Sequence, residues 1–180
     1  VSHVPAPPPP PTPVPPTYTA VNPLAPFAVV HPERVYDPFN AARLYTGDAV
    51  FDGGLYQSIY VAPGTAVTFS AYGRAWSSDA DDPLTGVNPA NLRLQIGLDP
   101  AGGTNPNGTA VLWSGEANPL NQYAPFAVSG TAVSNRVTLF LRARPDAIRA
   151  HNEAIWDGAE LSGGALVNGR MDPFTDGIPD

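Results

Sequence analysis

From Phe27 onward, apolar and polar residues alternate in short runs closed by turn residues, and the 3.6-residue period of an amphipathic helix is almost absent. The runs predict strands at Leu55–Val61, Ala66–Tyr72, Leu92–Leu98, Ala110–Trp113, Phe126–Ser129, Arg136–Ala143 and Ala154–Leu161. In Val67-Thr68-Phe69-Ser70-Ala71-Tyr72 the odd positions are the apolar ones, and in Leu92-Arg93-Leu94-Gln95-Ile96 the even positions, so each strand should bury one face. Along the last strand the same alternation puts Ile155, Asp157, Ala159 and Leu161 on one face, with Trp156, Gly158 and Glu160 on the other. Turn residues separate the runs: Pro63-Gly64, the stretch from Asp99 to Gly103, Asn107-Gly108 and Pro145-Asp146. Asp146 to Asn152 could make two helical turns at most and reads as a connection. Half-buried strands at this spacing predict an all-β, antiparallel sandwich of the jelly-roll type.

The first residues break this pattern. Eleven of the first 26 are Pro, including the unbroken run Pro7, Pro8, Pro9, Pro10 and Pro11. Proline fixes φ and lacks an N–H, so this segment predicts an extended polyproline II arm, and 4–16 alone would span roughly 40 Å. The expected organisation is an arm or linker over 1–26, a sandwich over 27–161, and a tail over 162–180 that packs on the domain, with Leu166-Val167 adding an edge strand and Phe174 and Ile178 docking on the body. The segment Asn22-Pro23-Leu24-Ala25-Pro26-Phe27-Ala28-Val29 is echoed by Asn118-Pro119-Leu120 and Ala124-Pro125-Phe126-Ala127-Val128. If the second copy is a strand, Phe27 and Val29 have the chemistry to fill a similar slot, in their own sheet or on a neighbour's edge.

Composition narrows the chemistry. Of 180 residues only 14% are charged, there is no Lys or Cys, and 16 acids against nine Arg give a net charge of −7. That sign repels nucleic acid and anionic lipid. Thiolate catalysis, disulfides and cysteine-based metal sites are excluded outright. No run is long and apolar enough to insert into a bilayer. His3, His31 and His151 lack metal-ligand spacing, no G-x-S-x-G occurs, and the glycine pairs lack the Lys of a phosphate loop. Carboxylates at Asp79, Asp81, Asp82, Glu116 and Asp157 could supply a glycosidase pair only if the fold gathered them. The expectation is a protein that is not an enzyme.

Three segments carry a resemblance: Gly53 to Thr65 with its Gly-Leu-Tyr-Gln and Pro-Gly; Ile96 to Thr104 with Val111-Leu112-Trp113-Ser114; and Val137 to Ala143 followed by Ile155-Trp156-Asp157-Gly158-Ala159-Glu160-Leu161. In order, they resemble the galactose-binding-like jelly rolls found as carbohydrate-binding modules and accessory domains of secreted bacterial proteins, over about residues 32–161. The resemblance implies an extracellular or cell-surface setting. It also implies a structural calcium, the one cofactor expected, at the position of Asp157, although the doubled Asp common there is reduced to Asp157-Gly158. The start at Val1 rather than Met fits removal of an N-terminal piece.

Two functional readings follow. The first is a non-catalytic structural subunit that self-associates into a surface polymer, its arm (Pro7 to Pro11, Phe27, Val29) engaging a neighbour. The second is a carbohydrate-binding module whose arm is a linker and whose partner is a polysaccharide. Sugar rings stack on exposed aromatics flanked by polar groups. Tyr72, Trp76, Trp113, Tyr123 and Trp156 are the candidates, with Arg74, Asp79 and Gln95 as polar partners, and Trp76 beside the acidic loop over 77–90 leads. Asn107-Gly108-Thr109 matches the N-glycosylation acceptor and reads equally as a hairpin turn.

Overall fold

The computed structural model describes residues 9–21, 34–37, 40–83, 85–167, 169, 174–175 and 178–179. Its strands are β1 (Thr17–Val21), β2 (Ala41–Thr46), β3 (Gly53–Tyr60), β4 (Ala66–Ser78), β5 (Leu92–Asp99), β6 (Leu112–Trp113), β7 (Tyr123–Thr131), β8 (Arg136–Pro145), β9 (His151–Ser162), β10 (Phe174–Thr175) and β11 (Ile178–Pro179). They form a five-stranded sheet ordered β1-β2-β9-β4-β7, a four-stranded sheet ordered β3-β8-β5-β6, and the small pair β10-β11. Neighbouring strands run antiparallel throughout. Among the described residues no helix is long and apolar enough to cross a membrane.

Each predicted strand is present, several with moved ends. β4 continues past Tyr72 to Ser78, and the predicted strand at 110–113 shortens to β6. Asp146 to Ala150 is a bend and not a helix. The β-prone Thr17–Val21 lies within the stretch expected to be polyproline and pairs with β2, a strand the pattern also missed. Ahead of it, Pro9 to Pro15 are exposed, and Val14 N–H donates to Val50 O at 2.9 Å. Pro7, Pro8, Phe27 and Val29 lie outside the described residues. In the tail, Leu166 packs on the core, and the Gln57 amide both donates to Val167 O (3.0 Å) and accepts its N–H (3.1 Å).

The inner faces of the two sheets share one core, in which Leu44, Val67, Phe69, Leu94, Ile96, Leu98, Leu139 and Trp156 are almost fully buried. Trp156 meets Phe126 edge-on, with ring centroids 5.4 Å apart. This reverses the face expected for Trp156, and a bulge explains it. Ser70 pairs with Glu160, but Tyr72 pairs with Asp157, so β9 holds one residue more than β4 across this step. Gly158 sits there at φ +56°, a left-handed conformation that glycine adopts without penalty. The extra residue flips the alternation: Ala154 and Trp156 point inward before it, Ala159 and Leu161 after it. Ile155 and Asp157 therefore belong to the outer face.

Part of that outer face is covered by residues 34–37. The Arg34 guanidinium pairs with Glu153, and Arg43 reaches the same carboxylate at 3.5 Å. Val35 and Tyr123 pack on Ala41 and Ile155. Asp157 accepts the N–H groups of Tyr36 (2.9 Å) and Asp37 (3.0 Å) on one oxygen and that of Gly158 (2.7 Å) on the other. Burial outweighs these three donors and raises its pKa to about 6.

Two outcomes follow from this covering. Glu153→Ala should lower stability by about 3 kcal/mol in urea melts, because it strands a buried guanidinium. The raised Asp157 value means that the folded protein takes up this proton before the unfolded chain does. Its contribution is full below about pH 4 and is lost as pH rises through about 6. Wild type should therefore gain on Asp157→Asn, by on the order of 1 kcal/mol, between pH 7.5 and pH 4.5. Urea melts of both proteins at the two pH values measure this, and an unchanged difference would show an ordinary carboxyl.

Candidate functional site

The outer face of the four-stranded sheet is open. Its strands alternate so that Ile59, Val137, Leu139, Leu141, Leu94 and Ile96 fill the core. The intervening phase presents Tyr56, Ser58 and Tyr60 on β3 and Arg136, Thr138, Phe140 and Arg142 on β8. Register places Tyr56 opposite Phe140, Phe140 opposite Gly97, and Gly97 opposite Trp113, one row across all four strands. Gly97 is the seat of the row. A Cβ there would stand 2.8 Å from the Trp113 ring, so only glycine lets the indole lie down on the sheet. Phe140 is nearly buried between its neighbours, with centroids 5.9 Å from Trp113 and 6.1 Å from Tyr56.

Polar groups frame this aromatic row. Arg142 forks onto Asp52 at 2.7 and 2.6 Å, and its guanidinium carbon lies 5.5 Å from the Trp113 ring centroid. The hydrogen bond to Asp52 leads in holding the Arg142 proton more firmly than usual. Arg142 also reaches Asn107 Oδ1 at 3.4 Å. Thr104, Pro106 and Asn107 come from the loop after β5 and wall a cleft of about 320 Å³ floored by Phe140 and Trp113. Tyr56, 61% exposed, stands on the opposite side. With Phe140 buried beneath them, the Trp113 and Tyr56 rings, a fixed carboxylate, a guanidinium and an amide can stack a pyranose and bond its hydroxyls.

The residues favoured from sequence lie elsewhere. Trp76 is 3% exposed: its N–H donates to Thr85 O (2.9 Å), His151 stacks on it with centroids 4.7 Å apart, and the Arg34 guanidinium lies 5.4 Å from its ring centroid. No ring face is left for a sugar. Arg74 is buried and donates to Pro83 O at 3.4 Å. Tyr72 is half-buried with Tyr36 stacked on it at 3.8 Å. Asp79 is exposed and accepts the Asn88 amide at 2.8 Å. The reason is the length of β4: it runs on beneath the acidic loop, which folds back over it through Asp79 N–H to Val87 O (2.9 Å).

Trp156 is a core residue, and Gln95 is buried on the same sheet as the cleft. Tyr123 donates to Arg34 O (2.8 Å), and burial pushes its phenol well above the ordinary value. The Asp157 oxygens expected to hold calcium are turned to three backbone N–H groups. Among the described residues, no group of three or more His, Asp or Glu gathers to hold a metal. Asn107 is exposed in the turn closed by Gly108 N–H to Asn105 O (2.9 Å), where a glycan would fill the cleft mouth.

Of the residues proposed from sequence for sugar binding, only Trp113 lines the cleft, joined there by the glycosylation candidate Asn107. Tyr56, Phe140, Arg142 and Asp52 were missed. An available signal was phase: Phe140 occupies the outward position among Arg136, Thr138 and Arg142, where a polar residue is the rule.

No family model matches the sequence, and neither does any curated protein. Solved structures do match. A family 61 carbohydrate-binding module in complex with β-1,4-galactotriose is similar at a TM-score of 0.53 and 11% identity, over 81% of this chain and 81% of that one. The enzymatically active domain of bacteriophage CBA120 tailspike protein 4 gives 0.48 and 10% identity, over 82% of this chain and 18% of that one. A family 16 carbohydrate-binding module gives 0.43 and 14%, over 73% and 82%. The two packed sheets thus form a jelly-roll sandwich of the carbohydrate-binding-module type.

Proposed function

We propose that this chain is a non-catalytic carbohydrate-binding module, working outside the cell, that takes a polysaccharide across the outer face of its four-stranded sheet. The observation that carries the reading is the row Tyr56, Phe140, Gly97, Trp113 with the Arg142–Asp52 fork at its rim. Aromatic faces supply the dispersion and C–H contacts a pyranose offers, and a paired guanidinium and carboxylate supply donor and acceptor in fixed geometry for its hydroxyls. The pair is already made, so little side-chain freedom is lost on binding. On the opposite sheet, residues 34–37 cover the outward side chains of Glu153, Ile155 and Asp157.

Assembly through the arm has no observation in its favour. The segment expected to engage a neighbour, Phe27 to Val29, lies outside the described residues; within the arm, β1 is hydrogen-bonded to β2 of its own chain, and Val14 is held by Val50. With those donors and acceptors used within the molecule, trans pairing of β1 would first have to break them.

β-1,4-Galactan is the first probe, since the similar family 61 module holds β-1,4-galactotriose. Affinity electrophoresis against a panel of plant and bacterial polysaccharides should show retardation by at least one polymer. Trp113→Ala should weaken it about tenfold or more while the far-ultraviolet spectrum stays unchanged, with Tyr56→Ala weaker by a smaller factor. No retardation by any polymer, or full binding by Trp113→Ala, would overturn the reading.

A further inference from the structure

Four of the nine arginines share the outer face of the four-stranded sheet: Arg93, Arg136, Arg142 and Arg144. Three are neutralised. Arg93 pairs with Glu116 (3.2 Å) and Asp146 (2.5 Å), Arg144 with Glu116, and Arg142 with Asp52. Arg136 makes no ion pair among the described residues. It donates to the Tyr60 hydroxyl at 2.8 Å, and its guanidinium carbon lies 4.9 Å from the centre of that ring. Tyr60 is 73% exposed, the most open aromatic on the face.

The geometry around this pair is that of a receptor for an anion on a ring. Tyr60 follows Tyr56 by four residues on the same phase of β3, about 13 Å along the strand, with Ser58 between them. A chain seated in the cleft and running along β3 meets Tyr60 a few sugar rings later. There the exposed phenol face can stack a further ring, while Arg136, one N–H spent on the hydroxyl, keeps others for a planar acceptor. A guanidinium with no carboxylate of its own, fixed by a ring, suits a carboxylate better than a hydroxyl.

We infer that the polysaccharide taken by this face carries uronate carboxylates, read by Arg136 with Tyr60 as the stacking ring. This rests on the cleft being a polysaccharide site and names its substrate class. The net charge of −7 does not oppose it at contact range, because at physiological ionic strength charges beyond about 8 Å are screened. It does predict that binding of the acidic polymer depends on the local pair and not on a basic field.

The test titrates the intact chain with polygalacturonate, alginate and glucuronoxylan, each beside its carboxyl-reduced form, by calorimetry at low and high salt. The expected result is that one of these polymers binds about tenfold tighter in its acidic form, with the preference shrinking as salt rises. Arg136→Gln should bind both forms equally, and Arg136→Lys, which keeps the charge without the fork, should recover only part of the preference. Equal binding of acidic and reduced forms by wild type, or a preference that survives Arg136→Gln, overturns the inference. Loss on Trp113→Ala would in that case leave the cleft reading standing. Binding of no polysaccharide, neutral or acidic, overturns both.

Discussion

One extra residue in β9 sets which of its side chains enter the core and which turn outward. Gly158 takes a left-handed conformation that a side chain would resist, and the bulge it makes lets Trp156 enter the core while Asp157 turns outward. Turned outward, Asp157 accepts Tyr36 and Asp37 N–H and so fixes the segment that covers part of the five-stranded sheet. Arg34 arrives with that segment and meets Glu153. Without the bulge, strict alternation would aim Asp157 and Trp156 at the wrong sides. The core position of Trp156 and the covering of part of the five-stranded sheet are therefore two consequences of the same backbone irregularity.

The cations are used in a way the lysine-free composition makes explicit. Arg34, Arg43, Arg136 and Arg142 each lie over an aromatic ring, respectively Trp76, Tyr45, Tyr60 and Trp113. A guanidinium can stack and donate in its own plane at once, whereas an ammonium is a strongly hydrated point charge. With so few charged residues, each of these four arginines both orients a ring and engages an oxygen, and lysine could not do both. The buried Arg34–Glu153 pair is of a different kind: desolvation takes back much of its Coulomb energy, so its value lies in fixing where the segment sits.

Alternation made the sheets legible in the sequence. It identified β4, β5 and β8 because each buries one whole phase, and it located the turns because glycine and proline mark them. It failed where the backbone departs from a period of two, at Gly158, since an extra residue leaves no trace in hydrophobicity. β2 was missed because Ala41-Ala42-Arg43-Leu44-Tyr45-Thr46 has weak apolar contrast, yet Ala41 and Leu44 are fully buried. The site was half visible. An exposed-looking tryptophan beside an acidic loop drew attention to Trp76, whose environment is set by a loop folding back, which is a tertiary fact. Trp113 belongs to a two-residue strand, and its role depends on facing Gly97 across the sheet, a pairing no local pattern contains.

The prolines act as the guard of an edge. β1 is the outermost strand of its sheet and only five residues long. Between Pro9 and Pro16 only Thr12 and Val14 carry a backbone N–H, and Val14 spends its own on Val50. A segment with so few donors cannot prolong the ladder, so the edge it leads into ends where the proline run begins. At the same place Tyr18 donates to Gly54 O at 3.4 Å, tying β1 to the start of β3 and hence to one side of the cleft. The composition that first suggests a tether for a neighbouring subunit thus leads into a strand that pairs within its own chain, and Tyr18 of that strand links the two sheets beside the cleft.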